Sequence, residues 1–357
     1  MKKIAITLLV FCTCFAVAEW PQAQPKGTHT ITKFDAPDGG TGAGQGTVGE
    51  GITGDGSTMG YYLDSNNVTH GFARSAAGKL TEFDPPGSVG TYPQGINSKL
   101  AITGYYLDSG NVVHGFLRSA EGKFSSFDAP GAGTSGNQGT VANNINFNGR
   151  IAGYYIDSNG VAHGFLRSPT GKYTKFDAPH AGNVPGAGTL SVSLDGLTDS
   201  GSVVGYYIDS NYVWHGFLRS AAGKFTRIDP TGTTLTACLG INATGTITGF
   251  YSDSAGVTHG FARAVDGTIT SFDAPGAVDT EPSGINAEGA MTGFTIDGKS
   301  AFHGFSRAPN GNFSKFNVPG AGTGFLQGTL PFSNNGDWAV VGYYIDSNNA
   351  WHGFLRQ

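Results

Sequence analysis

The chain has 357 residues and a formal charge of −5; 58 residues are glycine, 12% are aromatic and only 13% are charged. With no Lys/Arg cluster there is no electrostatic footprint for nucleic acid and no basic amphipathic segment for a membrane surface. Charge this sparse would also starve a helical surface, and the aromatic share argues against a disordered glycine-rich chain.

Met1-Lys-Lys followed by the apolar run 4–18 has the charged start and short hydrophobic stretch of a secretory signal, with Ala16-Val17-Ala18 as its cleavage site. Residues 1–18 are therefore predicted to be a signal peptide and 19–27 a lead-in. The run is too short for a membrane span, so the expected location is secreted or periplasmic, with no membrane insertion after cleavage. Cleavage removes Cys12 and Cys14 and leaves Cys238, in Leu235-Thr-Ala-Cys-Leu-Gly-Ile. Its apolar neighbours predict a buried, inert thiol. No intramolecular disulfide can then form, and a mature chain of this length holds itself by its core.

Residues 28–357 read as one domain built on repetition. His-Gly-Phe begins at His70, His114, His163, His215, His259, His303 and His352, at spacings of 44, 49, 52, 44, 44 and 49 residues. A period of that size signals a solenoid, propeller or array. In the second copy, 94–97, 102–107, 112–118 and 124–128 read as four short strands separated by Gly, Asn, Asp and Ser. That is the content of one propeller blade.

Asn66-Asn67, Asn159-Gly160 and their equivalents predict a two-residue type I′ hairpin. Folding about it sets Leu63 opposite His70, Tyr62 opposite Gly71 and Tyr61 opposite Phe72. The Gly of His-Gly-Phe is then read as room for a cross-strand Tyr. The Asp of each Asp-Ser hairpin, Asp64 to Asp346, is expected to make Asx-type turn bonds. The seven Arg after His-Gly-Phe and the Asp of Phe-Asp-Ala-Pro read as surface or inter-blade pairs.

The last copy ends at His352-Gly-Phe-Leu-Arg-Gln, without the strand that elsewhere ends in Phe-Asp-Ala-Pro. That strand stands at the other end, in Thr28-His-Thr-Ile-Thr-Lys-Phe-Asp-Ala-Pro37. A solenoid would need polar caps, whereas a ring needs only that the N-terminal strand pair with the last three. The predicted fold is an all-β, seven-bladed propeller of four-stranded blades closed in this way.

Blades one, three, four and seven carry longer leading segments, at 42–48, 133–141, 186–190 and 322–330, and these, with the linkers around them, are read as the source of the 49- and 52-residue spacings. Variable loops on a rigid scaffold are where binding residues are placed. The expected ligand-binding residues are Gln45, Thr47, Gln94, Gln138, Thr140, Thr189, Gln327 and Thr329. The seven histidines point to seven separate places and are read as structural, because a metal or acid–base site needs different ligands converging on one point. No G-x-S-x-G or H-E-x-x-H is present. No catalytic residue, metal or cofactor is assigned.

The tandem Gly-Ile-Asn, Gly-Tyr-Tyr, His-Gly-Phe-Leu-Arg and Phe-Asp-Ala-Pro-Gly units resemble the bacterial extracellular repeat proteins called the HAF family, whose label motif is His-Ala-Phe. Gly replaces that Ala in all seven copies here. The resemblance spans nearly the whole mature chain and implies export and a repeat β-architecture; it implies no activity. The function read from the sequence is a monomeric, exported, non-catalytic binding module whose partner is a polysaccharide or an envelope or extracellular protein. The alternatives are a hydrolase or lyase acting at the channel mouth and a structural assembly element.

Overall fold

The structure, a computed structural model, describes residues 29–191 and 195–357; the expected signal and lead-in lie outside them. The described residues form 28 strands and no helix. Twenty-four of the strands fall into six antiparallel groups of four, at 46–83, 90–127, 139–176, 188–228, 235–272 and 279–316. These are units one to six. The remaining four make unit seven: Gly328–Asn334, Val340–Ile345, Trp351–Arg356 and, from the other end of the chain, Ile31–Phe34. In the last pair Ile31 lies opposite Arg356 and Phe34 opposite Gly353. The architecture is all-β and propeller-like.

The core lies between adjacent units. The Phe of each His-Gly-Phe, from Phe72 to Phe354, is at most 1% exposed. One cluster joins Met59 and Phe83 of unit one to Ile102, Tyr106 and Phe116 of unit two. Cys238 is fully buried, and burial pushes its thiol pKa up.

The arginines that follow join the same seams. Arg118, Arg167, Arg219, Arg307 and Arg356 each hold the guanidinium 4.3–4.9 Å from the ring of the outer-strand Phe in the preceding unit. Arg74 of unit one does the same at 5.0 Å over Phe34. Their partner is therefore an aromatic face, which corrects the expectation of Arg–Asp pairs.

The hairpin register is one residue away from the sequence reading. Tyr62 faces His70, Tyr61 faces Gly71 and Gly60 faces Phe72. The turn has three residues with one positive φ, at Asn67, rather than two. The physical reason is the Asx turn itself: Asp64 Oδ1 accepts from the amides of Asn66 and Val68, both at 2.8 Å, and so fixes a wider loop. Gly71 consequently makes room for Phe83 of the outer strand, whose ring lies 2.5 Å from where a Cβ would stand, and not for a Tyr.

On the face opposite these hairpins, side-chain amides link neighbouring units. Asn97 donates to the Asn146 carbonyl, Asn146 to Thr198, Asn242 to Asn286, Asn286 to Asn335 and Asn335 to Thr53, at 2.9–3.2 Å. The last bond runs from unit seven to unit one. Asn335→Thr keeps a turn-forming oxygen, as Thr53 and Thr198 do, but cannot reach across. It is expected to cost about 0.5–1.5 kcal/mol, by removing a buried hydrogen bond between units, in a denaturant titration.

Candidate functional site

The leading segments and the Asp-Ser hairpins share one face. In units one, three, four and seven the segment ends in a glycine, Gly46, Gly139, Gly188 or Gly328, at φ +120 to +131. Each forms a parallel bridge to the preceding unit. A Cβ at Gly46 would fall on the Trp351 carbonyl, so only glycine fits there.

Most of the expected ligand residues are used up in holding this face together. Thr47, Thr140, Thr189 and Thr329 are 0% exposed. Their hydroxyls accept from the amides of Ala36, Ala129, Ala178 and Val318 at 2.8–2.9 Å. Burial corrects the expectation that they face a ligand.

Gln45, Gln138 and Gln327 clamp their own loops. Gln45 Nε2 donates to Ser65 O and Asn67 Oδ1, at 3.2 and 2.9 Å, while its Oε1 accepts from Gly42. Gln138 bonds Ser158 and Ser135, and Gln327 bonds Ser347, Asn349 and Gly324, in the same manner.

Gln94 alone of the eight bonds an acidic side chain of a neighbouring unit. Six innermost strands carry a bulge at one shared position, occupied by Glu50, Gln94, Asn143, Leu239, Ser283 and Phe332. A bulge re-aims its side chain. Gln94 Nε2 donates to Glu50 Oε2 at 3.1 Å, across the seam between units one and two. Asp195, of unit four, lines one small cavity together with Gly51, Met59, Gln94 and Ser333. Residues of units one, two, four and seven thus meet at one cavity.

Asp195 arrives there through an insertion. Gly139 to Ile145 is six residues along the inner strand of unit three, whereas Gly188 to Leu197 is nine in unit four. The three extra residues account for the 52-residue spacing against 49, which corrects the reading that placed the excess in the leading segments and linkers alone.

Burial shapes the chemistry of these acids. It pushes the Glu50 carboxyl up to about 8 and that of Asp195 to about 7. Burial, then the charge of Asp279, raises Glu281 to about 7. Glu50 is therefore largely protonated at neutral pH and can donate a hydrogen bond.

Aromatic rings gather beside Glu50 and run on through the units. The first ring of each Gly-Tyr-Tyr is Tyr61, Tyr105, Tyr154, Tyr206, Phe250, Phe294 or Tyr343, and every one is partly exposed. Burial raises the Tyr61 phenol, and Glu50, Tyr343, Tyr105 and Tyr92 raise it further, so these groups converge. Tyr92 stacks on Tyr105 at 4.8 Å and Tyr206 on Trp214 at 4.4 Å, with an interplanar angle of 2°. Tyr212 and Phe325, 60% and 71% exposed, stand on the surrounding loops.

The histidines have other partners. In six units Nδ1 lies 2.7–3.1 Å from the Asp of the outer-strand motif, and in unit six it lies 3.1 Å from Asn317. Nε2 faces the hairpin Asp at 3.1–3.9 Å in all seven. Among the described residues no group of three or more His, Cys, Asp or Glu is placed to hold a metal ion.

The sequence reading missed Glu50, Asp195, Glu281 and the aromatic wall. The signal was available at the first three: each is an acid where other copies carry Gln, Asn, Leu, Ser or an apolar residue.

No protein-family model and no curated relative matches this sequence. Among solved structures the chain is similar to streptogramin B lyase, with TM-score 0.56 and 16% identity over 92% of this chain and 97% of that one. It is also similar to the BP39L lectin of Burkholderia pseudomallei, with TM-score 0.50 and 12% identity over 83% and 94%. At these identities the likeness is one of fold.

Proposed function

We propose that the chain is an exported carbohydrate-binding module of HAF-repeat type, a closed seven-bladed propeller that takes a polysaccharide or glycan into the mouth of its central channel. Closure is supported by the strand pair Ile31–Phe34 with Trp351–Arg356, by Arg74 over Phe34 and by the Asn335 bond to Thr53. The observation that carries the function is the mouth itself: flat, partly exposed rings around a floor of Glu50 and Gln94. Aromatic faces bury the apolar side of a sugar ring, and a few convergent polar groups fix its hydroxyls. BP39L is itself a lectin, and it lends the fold only.

A second reading, a hydrolase or lyase at the same mouth, is favoured by Glu50, since a carboxyl held protonated near neutral pH is what a general acid needs. A glycan panel on the mature protein, with product analysis of every positive, separates the two. Binding without products is the expected result. Products would move the enzyme ahead, and silence across the panel would overturn both.

A further inference from the structure

Unit six departs from the repeat where the second tyrosine of Gly-Tyr-Tyr belongs. In the other six units that ring, Tyr62, Tyr106, Tyr155, Tyr207, Tyr251 or Tyr344, lies 4.9–5.2 Å from the imidazole of the facing histidine. The third residue of the outer strand then attends it. Ser126 and Ser271 bond the hydroxyls of Tyr106 and Tyr251, and the ammonium groups of Lys175 and Lys33 stand 5.8 and 5.9 Å from the rings of Tyr155 and Tyr344.

In unit six the ring is replaced by Thr295, facing His303, and the attending residue is Lys315. Lys315 donates to the Pro275 carbonyl, as Lys33 does to Pro319 beside the ring of Tyr344. A cleft of about 480 Å³ opens there, lined by Gly276, Thr295, Asp297, His303, Lys315 and Asn317 among others. That lies within the range of small-molecule sites, about 300–1,000 Å³. His303 is 28% exposed, against 12–25% for its six equivalents. Its ring is nevertheless held in place, with Nε2 3.1 Å from Asp297 and Nδ1 3.1 Å from Asn317.

We propose that this cleft is a second binding site, distinct from the channel mouth, and that its ligand is a phenolic ring. The ligand takes the place of the missing side chain, stacking on the His303 imidazole as the chain's own tyrosines do six times over, with the Lys315 ammonium at its face as Lys33 and Lys175 stand at Tyr344 and Tyr155. The recognition is thus copied from contacts already present in the molecule.

The probe is p-cresol, titrated into the labelled mature protein while the His303 imidazole resonances are followed. These report unit six and not the aromatic mouth. A saturable shift is expected in wild type. Thr295→Tyr restores the repeat and should weaken binding at least tenfold while raising the melting temperature. Lys315→Ser, matching Ser126 and Ser271, should weaken it severalfold with folding unchanged. No saturable shift up to the solubility of p-cresol would overturn the proposal. So would affinity retained in Thr295→Tyr or, should that variant fail to fold, in Lys315→Ser.

Discussion

Removing residues 29–38 is expected to destabilise the mature protein by at least about 5 kcal/mol and to make it aggregate at concentrations where the full chain stays soluble. The segment supplies the outer strand of unit seven, four residue pairs with Trp351–Arg356. It also supplies Phe34, which fills the space over Gly353, meets Phe72 at 5.9 Å and lies under Arg74. Losing a packed Phe alone costs about 3–5 kcal/mol, and Phe34, being half-buried, belongs at the lower end. The remainder comes from the strand bonds and from Ile31. The aggregation follows from a freed edge, because Trp351–Arg356 would present unpaired amides and carbonyls to other chains. Phe34→Ala should reproduce the lower part of the loss without the exposed edge. A synthetic peptide spanning 29–38 should restore stability in trans, as strand addition does elsewhere. A truncated protein with an unchanged denaturation midpoint would show that the ends do not hold the ring together.

The second large effect is a fall in stability with rising pH. For Glu50 the folded pKa, about 8, stands above the unfolded value of 4.5 because burial disfavours the charge. The folded state therefore holds more protons between those values, and stability declines from about pH 4.5 until pH passes 8. Each tenfold difference in proton affinity between the folded and unfolded states is worth about 1.4 kcal/mol, so Glu50 accounts for a loss on the order of 3–5 kcal/mol. Asp195 and Glu281, both raised to about 7, act in the same direction. Tyr61, Tyr105 and Tyr343 face Glu50 and give it no compensating cation. Glu50→Gln keeps a polar partner for Gln94 and removes the ionisation. In guanidinium titrations at pH 5 and pH 8.5 the variant should match wild type at the lower pH and exceed it by about 2–4 kcal/mol at the higher. Parallel behaviour of the two proteins would mean that water reaches Glu50.

Much of this architecture is legible in the residues because repetition exposes it. Seven copies of one motif, each with the same turn Asp, show the strand count and the turn bonds, and the displaced Phe-Asp-Ala-Pro at the front identifies the strand that pairs with the end of the chain. The one-residue slip in register arose because Asn-Asn and Asn-Gly suit a two-residue turn, whereas the Asp side chain bonds two amides and widens the loop. Nothing in composition separates those outcomes.

The candidate site was harder to read. Gln45 and Thr47 are polar, recurrent and close to the hairpin face, which describes a loop clamp as well as it describes a ligand contact. Only the bonds decide, and they assign both residues to the scaffold. Function is better sought where the copies disagree. Glu50, Asp195, Glu281 and Thr295 all break the pattern, and each sits where neighbouring units leave space or bury a charge.

A glycan site at the channel mouth is tested most sharply by comparing binding to three proteins: wild type, Trp214→Ala, which removes the flat partner of Tyr206 at the mouth, and Gln45→Ala, which loosens a loop clamp. All three are first shown to be folded by their thermal transitions. A glycan bound by wild type should bind at least tenfold more weakly to Trp214→Ala, about 1.4 kcal/mol, and with unchanged affinity to Gln45→Ala. Full affinity in Trp214→Ala together with loss in Gln45→Ala would place the ligand on the loops and contradict the channel-mouth site.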